Sequence, residues 1–529
     1  MLGAAALGVS LASPIWLAPY TKVEESFTLQ AVHDILTFGI GAGVAQFDHV
    51  HFPGAVPRSF LGPLLLAAPS TPALAVARTL LPLSSSDVQA LVRGVLALAT
   101  WLALLVFAHA VFRARTARAY FFWICAAEFH LVFWSTRTTP NGIAFPLVTA
   151  ALAGVLGPWP RARLAGLAGL ALIACTLRLE VLGLAAPAYL WAWLSGRVSF
   201  SRAVILGATS CALGAALSIS VDSYFWSFVA RDRLPGLGRY VWPEVSALFF
   251  NVVEGRSSEW GVAPWYTYWV TELPKLLAAT HALLFTGLCS SAPGLSRAPL
   301  VFIAGFHVCL LSLLPHKEWR FILYTLPLWN AISAYGAIQQ VRQLSATPAR
   351  WFARLVPAMA IGLSLLLCML YTFVSMHNYP GGAALQVAHT RLGDRSVHLH
   401  MDTLATMTGV SLFQSTHQTR PASSLVPSLE PRWVYDKTEN LMPDADWCAF
   451  SHLLTEKEEC RVAGDAPLFS QLGDPIEGLA GVRLKSISAY LRDLAQVPRE
   501  STLADAWRAV LPFVIHTKPV LYVCERTGC

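Results

Sequence analysis

Long apolar runs alternate with short polar gaps through the first 376 residues of the chain. The runs centre on 2–18, 88–112, 119–135, 141–158, 164–178, 181–195, 203–221, 272–290, 298–314, 321–339 and 352–375. Most reach or approach the roughly 17–25 residues that carry a helix across a bilayer, so the pattern predicts about eleven spans. The first run has no basic flank, and no small-residue cleavage pattern follows it, so it is expected to stay as a span. The stretch 60–82 is apolar too, but Pro63, Pro69, Pro72 and Pro82 interrupt it. Proline removes a backbone donor and crowds the preceding turn, so a re-entrant or surface segment is expected there. From 377 onward the pattern changes to polar and charged residues with short apolar alternations such as Arg395-Ser-Val-His-Leu-His400. That predicts an α-helical polytopic membrane domain over 1–376 and a small α+β C-terminal domain over 377–529, with 414–430 as a loop. No internal repeat is visible.

Composition sharpens this picture. Of 529 residues, 55% are hydrophobic and 13% charged, against about 25% charged in soluble domains. The net charge of +7 comes from dispersed residues, which argues against a nucleic-acid partner. The basic residues fall in alternate gaps: Arg113, Arg115 and Arg118; Arg161 and Arg163; Arg197 and Arg202; Arg297; Arg342, Arg350 and Arg354. By the positive-inside rule those gaps and the N-terminus are cytosolic. The loops 19–87 and 222–271 and the C-terminal domain are then luminal. Counting 60–82 as a span would put Arg113 to Arg118 on the wrong side. Of the ten cysteines, six lie in apolar runs as small hydrophobes. Cys448, Cys460, Cys524 and Cys529 lie in the C-terminal domain, where an oxidising lumen permits disulfides. The short loop between Cys448 and Cys460 makes that pair the expected bond.

The chemistry is concentrated in the gaps expected to be luminal. Pro315-His-Lys-Glu-Trp-Arg-Phe321 places four ionisable groups between two spans, costly unless they face water, a headgroup or a partner. His316, Lys317 and Arg320 suit a lipid phosphate, and on a helix Lys317 and Arg320 would share a face. Against this stands a boundary cluster that merely snorkels. Glu24 and Glu25 follow the first run. Either is a candidate general base, and a solvated loop pair is the competing explanation. Arg58 and Arg137 lie against the positive-inside trend and suit phosphate or carboxylate, or a salt bridge within a loop. Arg178 and Glu180 form an ion pair or a substrate contact. Asp48, Trp226 and Trp260 are candidate acceptor or sugar contacts, set against an interfacial aromatic belt. His33, Asp34, Asp48, His49 and His51 match no standard metal spacing, so no metal is expected.

Several of these stretches carry a resemblance. Pro19-Tyr-Thr-Lys-Val-Glu-Glu-Ser-Phe27, Gln30-Ala-Val-His-Asp34, Phe52-Pro-Gly-Ala-Val-Pro-Arg-Ser-Phe-Leu-Gly-Pro63, Thr136-Arg-Thr138, Asp222-Ser-Tyr-Phe-Trp226, Ser258-Glu-Trp-Gly261 and His316-Lys-Glu-Trp-Arg-Phe321 resemble the dolichyl-phosphate-mannose-dependent mannosyltransferases of glycosyltransferase family 22. Asn378-Tyr-Pro-Gly-Gly382 and Trp433-Val-Tyr-Asp-Lys437 extend it into the C-terminal domain. Lys-Val-Glu-Glu-Ser-Phe and Phe-Pro-Gly-x-Val-Pro-Arg are similar to the members that form an α-1,6 linkage. The resemblance implies a GT-C fold in the endoplasmic-reticulum membrane with a luminal active site. It also implies inverting transfer of mannose from dolichyl-phosphate-mannose to a dolichyl-diphosphate-linked heptamannosyl oligosaccharide, with no cofactor. Members carry an Asp-Glu pair whose first residue is the expected base. Glu24 takes that place, and the choice between Glu24 and Glu25 stays open. The alternatives are a sibling α-1,2 enzyme of N-glycan or glycosylphosphatidylinositol assembly, and a polytopic lipid or sugar transporter. Transporters tend to show two related halves and charges at mid-membrane, and the halves here look unrelated.

Overall fold

Small residues let the membrane helices touch backbone to backbone. Helices Pro140–Leu156 and Pro160–Thr176 are joined by a three-residue turn. A Cβ on Gly154 would stand 2.5 Å from the Ala162 carbonyl oxygen, and one on Gly166 2.3 Å from that of Ala151. Only glycine fits at both crossings, which is how helices associate where burying apolar surface gains nothing over lipid. The computed structural model describes residues 1–230, 232–234, 237–289, 297–345, 352–439, 441, 447–461, 469–484 and 513–528. They divide into two units. One comprises Met1–Pro19, Glu24–Leu370 and Arg420–Pro427; the other Tyr20–Val23, Tyr371–Thr419 and Ser428–Cys529.

The first unit is a helical bundle, and the protein is a multi-pass membrane protein. Ser85–Val111, Phe200–Trp226, Trp319–Arg342 and Arg354–Met376 are long and apolar enough to span a bilayer. Leu2–Leu17, Pro140–Leu156 and Arg297–Ser312 are among the shorter apolar helices. Ser84 opens the first of the long helices with a capping box, in which its hydroxyl and the Asp87 carboxylate satisfy each other's backbone N–H. The stretch 60–82, expected to be a re-entrant or surface segment, is a helix, Leu61–Leu80, with Pro69 and Pro72 inside it, and it is not among the helices long and apolar enough to span a bilayer. Packing against helices Ser26–Phe38 and Ser85–Val111 outweighs the proline penalty. The span expected at 119–135 is two helices meeting at Glu128. That carboxylate is fully buried, and it accepts bonds from Thr280 Oγ1 at 3.2 Å and Asn330 Nδ2 at 2.7 Å. The run 272–290 is likewise broken, by a turn over Ala278–Thr280.

The second unit is a mixed sheet with helices. Its strands are β1 (His398–Met401), β2 (Val434–Asp436), β3 (His452–Thr455), β4 (Phe469–Gln471), β5 (Ile476–Leu484) and β6 (Phe513–Arg526). The order is β2-β1-β3-β6-β4, with β5 also on β6. β1 is parallel to β2 and β3, and β6 is antiparallel to its partners. Helix Pro380–Leu392 contributes Leu385, Ala388 and Leu392 to the core beneath the sheet. Residues 414–430 carry no helix or strand, as expected of a loop. Cys460 is bonded to Cys524, 64 residues away, on the neighbouring strand. This corrects the expected Cys448–Cys460 pair: the sheet brings Cys524 to the turn at Cys460, and proximity in space overrides proximity in sequence. The six cysteines of the apolar runs are in no disulfide among the described residues.

Candidate active site

The two adjacent glutamates sit on a single 3₁₀ turn, Val23–Glu25. With about three residues per turn, neighbours there point roughly 120° apart, so only one of the two can face a given cavity. Glu25 points inward and is fully buried. Its Oε1 lies 2.9 Å from Arg93 Nη2 and 3.5 Å from Arg137 Nη1. Its Oε2 accepts from the Thr138 backbone at 3.2 Å and hydroxyl at 3.0 Å. The same two arginines also donate to the carbonyls of Pro19 and Ala18. Together they clamp the segment that leads out of the first helix.

Glu24 points the other way and keeps 33% of its side-chain surface. Its Oε1 lies 3.5 Å from Arg320 Nη1. Its Oε2 is shielded from solvent and has no hydrogen-bond partner among the described residues. Arg320 Nε contacts Glu318 Oε2, and Glu318 Oε1 lies 2.8 Å from His316 Nε2. The structure thus brings Glu24, His316, Glu318 and Arg320 into one chain of alternating charge. Lys317 stands apart. The segment 313–318 is not helical and the 3₁₀ helix begins at Trp319, so Lys317 and Arg320 do not share a helical face as expected. The Lys317 ammonium donates to the carbonyls of Ala263 at 3.0 Å and Leu314 at 2.6 Å.

Arg58 joins Arg320 from a different part of the chain. Asp222, at the end of helix Phe200–Trp226, accepts from the Phe60 N–H at 2.7 Å and the Ser59 hydroxyl at 3.0 Å. Trp226 Nε1 donates to the Arg58 carbonyl at 3.0 Å. These bonds pin the Arg58 loop. The Arg58 surface is exposed, yet surrounding protein desolvates its guanidinium. Burial first, and then like charge from Arg178 and Arg320, lowers its pKa. Of the three arginines, Arg320 faces Glu24 and Glu318 and Arg178 faces Glu180 and Glu244, so the like charge falls on Arg58. Arg178 Nε is 2.7 Å from Glu180 Oε1, which also accepts from Asn141 Nδ2 at 2.7 Å. Burial works to lower the Arg178 pKa, but Glu180 and Glu244 outweigh it and the net direction is up. Burial pushes the Glu244 carboxyl up to about 7 although Arg178 opposes the shift.

The remaining candidates are placed elsewhere. Arg137 is 1% exposed and lies against Glu25 and the Phe133 ring. Trp226 is 1% exposed, stacked near Phe27 and edge-on to His49, and presents no open face to a sugar. The Asp48 backbone N–H donates to Asp34 Oδ2 at 2.6 Å, in the cluster around His49 and Phe225. Trp260 ends the short helix Arg256–Trp260, and its side chain lies outside the described residues. Arg93 was missed in the sequence: it is the lone charge well inside a long apolar run. Glu318 was seen only as part of its cluster.

With this geometry in hand, the chain can be set beside known proteins. The family model described as "Alg9-like mannosyltransferase family" matches residues 5–425. A Drosophila melanogaster protein named Dol-P-Man:Man(7)GlcNAc(2)-PP-Dol alpha-1,6-mannosyltransferase is 34% identical, over 98% of this chain and 70% of its own length. The Saccharomyces cerevisiae protein of the same name is 33% identical, over 83% of this chain and 80% of its own. Among solved structures, that of ArnT from Cupriavidus metallidurans in the apo state matches with a TM-score of 0.51 at 13% identity, covering 81% of this chain and 88% of that one. That likeness concerns the fold, which is GT-C.

Proposed function

This chain belongs to the Alg9-like mannosyltransferase family, and from that premise we propose that it is an inverting α-1,6-mannosyltransferase. The donor is dolichyl-phosphate-mannose and the acceptor is the heptamannosyl oligosaccharide on dolichyl diphosphate. The site lies on the luminal side of the endoplasmic-reticulum membrane. The observation that carries the mechanistic assignment is the unpartnered Oε2 of Glu24. A buried polar atom without a partner is uncommon and points to a group that arrives later. Glu25, held by two arginines and a threonine, is the clamp and not the base.

In this scheme the acceptor 6-hydroxyl attacks the mannose anomeric carbon from the face opposite the phosphate. The new C–O bond forms as the bond to the phosphate oxygen breaks, and that oxygen keeps the electron pair. The hydroxyl proton passes to Glu24 Oε2. Arg320 and Arg58 meet the charge that grows on the phosphate, with Arg178 behind them. Preorganised cations aimed at developing charge are often the largest catalytic contribution. Donor phosphate competes with Glu318 for Arg320, which leaves Glu318 to His316. His316 steadies Glu318, and Lys317 holds the loop at Ala263. Arg137 orients the turn through Glu25. In this scheme side chains supply the charge stabilisation, and it calls for no divalent ion.

Purified protein, labelled donor and a defined heptamannosyl acceptor test this directly. Transfer of one mannose, sensitive to an α-1,6-specific mannosidase, is the expected result. A product cut only by an α-1,2-specific enzyme would assign the chain to the sibling reaction. Transfer by the Glu24→Gln variant at the wild-type rate would remove the scheme.

A further inference from the structure

A second built site lies at the far end of the bundle. Helix Pro140–Leu156 begins beside Thr138, which bonds Glu25, and ends at Gly157. Seventeen residues rise about 25 Å, close to the thickness of a bilayer core. Around Gly157 three separate turns of the chain meet at a pocket of about 640 Å³. Its lining includes His109, Arg113, Arg118, Arg163 and Arg197, and among the described residues no carboxylate. None of these five is ion-paired among the described residues. Arg163 is only 8% exposed and donates to the Gly157 carbonyl at 3.1 Å. Its Nε is buried without a partner, and Arg197 is near enough to repel it.

This pocket does not stand alone. It shares Ala110 and Trp159 with an almost wholly apolar groove of about 590 Å³ that runs between the helices towards Leu61 and Leu177. Neither cavity is lined by Glu24, Glu25 or Arg320. The positive-inside rule accounts for the sign of these arginines. It does not account for their convergence on one cavity, for a buried guanidinium nitrogen left open, or for a hydrocarbon-lined groove leading out of the same cavity. We propose that this compound site binds one anionic glycerophospholipid, with its headgroup phosphate among Arg113, Arg118, Arg163 and Arg197 and an acyl chain in the groove. Basic pockets between membrane helices suit such headgroups. A donor whose phosphate sits with Arg58, Arg178 and Arg320 would enter the groove from its Leu61 and Leu177 end and leave the basic pocket without an anion. The bound lipid ties together the three turns that carry the arginines and offsets their mutual repulsion.

Native mass spectrometry of the full-length protein in neutral detergent reads this out, with dioleoyl phosphatidylserine and dioleoyl phosphatidylcholine offered together. Phosphatidylserine should be retained at least about tenfold better, because each basic residue near an anionic headgroup adds to the attraction. The triple variant R113Q/R118Q/R197Q changes two exposed side chains and the half-buried Arg118, and leaves the buried Arg163 in place. It should bring the two lipids to parity while mannosyl transfer in that detergent stays at the wild-type rate. A150F/A165F fills the groove and should lower retention of both lipids. Equal retention by the wild type, or an unchanged preference in the triple variant, overturns the proposal. So does competition by glycerophosphoserine as strong as by the whole lipid, which would mean a site for free anions. Displacement by dolichyl phosphate equally in wild type and triple variant would assign the groove to the donor's chain instead.

Discussion

Glu24 and Glu25 are neighbours in the chain with different surroundings, and substitution separates them. Glu24→Gln keeps size and polarity but cannot take a proton as a carboxylate does. Turnover at saturating donor and acceptor should fall about 10²–10⁴-fold, with the melting temperature unchanged. Glu25→Gln leaves Arg93 and Arg137 buried without their counter-charge. Breaking one side of a buried pair costs about 3–5 kcal/mol, so this variant should show a lower melting temperature and poor yield. A stable, inactive Glu25→Gln beside an active Glu24→Gln would move the base by one residue. Arg320→Ala should slow turnover by about tenfold to a hundredfold, the worth of one charged hydrogen bond. Lys317→Ala should act instead through the Ala263 loop, lowering stability more than rate. The presence of two carboxylates at 24–25 could be read from the chain. Their division of labour could not, because it depends on the hand of one 3₁₀ turn and on Arg93, sixty-eight positions away.

At the scale of elements, the segment 178–180 and the helix Pro243–Leu248 meet through Glu244, whose Oε2 accepts the Leu179 N–H at 2.6 Å. Burial raises the Glu244 pKa from 4.5 to about 7. An acid whose folded-state pKa is raised contributes stability that is fully present below its unfolded value and is lost as pH rises through the folded one. Thermal stability should therefore decline between about pH 4.5 and 7, and Glu244→Gln should flatten that part of the profile. A flat wild-type profile over this window would remove the carboxyl from the account. Elements also show where periodicity misleads. Proline content at 60–82 argued against a straight span but could not tell that the stretch is helical, Leu61–Leu80, packed against two neighbours. Conversely, unbroken apolar runs at 119–135 and 272–290 fold as broken helices. At Glu128 and Thr280 the polar groups at the breaks satisfy each other. A window count of apolar residues has no access to either arrangement.

At the scale of the molecule, the disulfide and the need for metal can each be checked. The Cys460–Cys524 bond closes a loop of 64 residues, worth about 4 kcal/mol on the chain-entropy account. Non-reduced peptide mapping should recover that pair, and Cys460→Ser should lower the melting temperature of the second unit. Recovery of a Cys448–Cys460 peptide instead would contradict the sheet pairing. Transfer in excess EDTA should run at the untreated rate. Restoration of a lost rate by one divalent ion would show that side chains alone do not carry the phosphate charge. Cysteine labelling in sealed microsomes addresses orientation: a probe near 116 should react without permeabilisation and one near 257 only after it.

The class of the molecule was legible in the chain alone. Apolar runs of spanning length, a basic character in every alternate gap, and carboxylates and cations clustered in the intervening loops follow from bilayer thickness and the cost of charge in hydrocarbon, and both act locally. The motif stretches likewise carried the family. Partnership came from the fold: Glu25 with Arg93 and Arg137, Lys317 with two backbone carbonyls, Arg58 beside the arginines at 178 and 320, Cys460 with Cys524. Each joins residues through a fold whose helix breaks and crossings are set by packing and polar satisfaction. Electrostatic and hydrogen-bond energies depend on distance in space, and sequence spacing reports that distance only within a turn or two of regular structure.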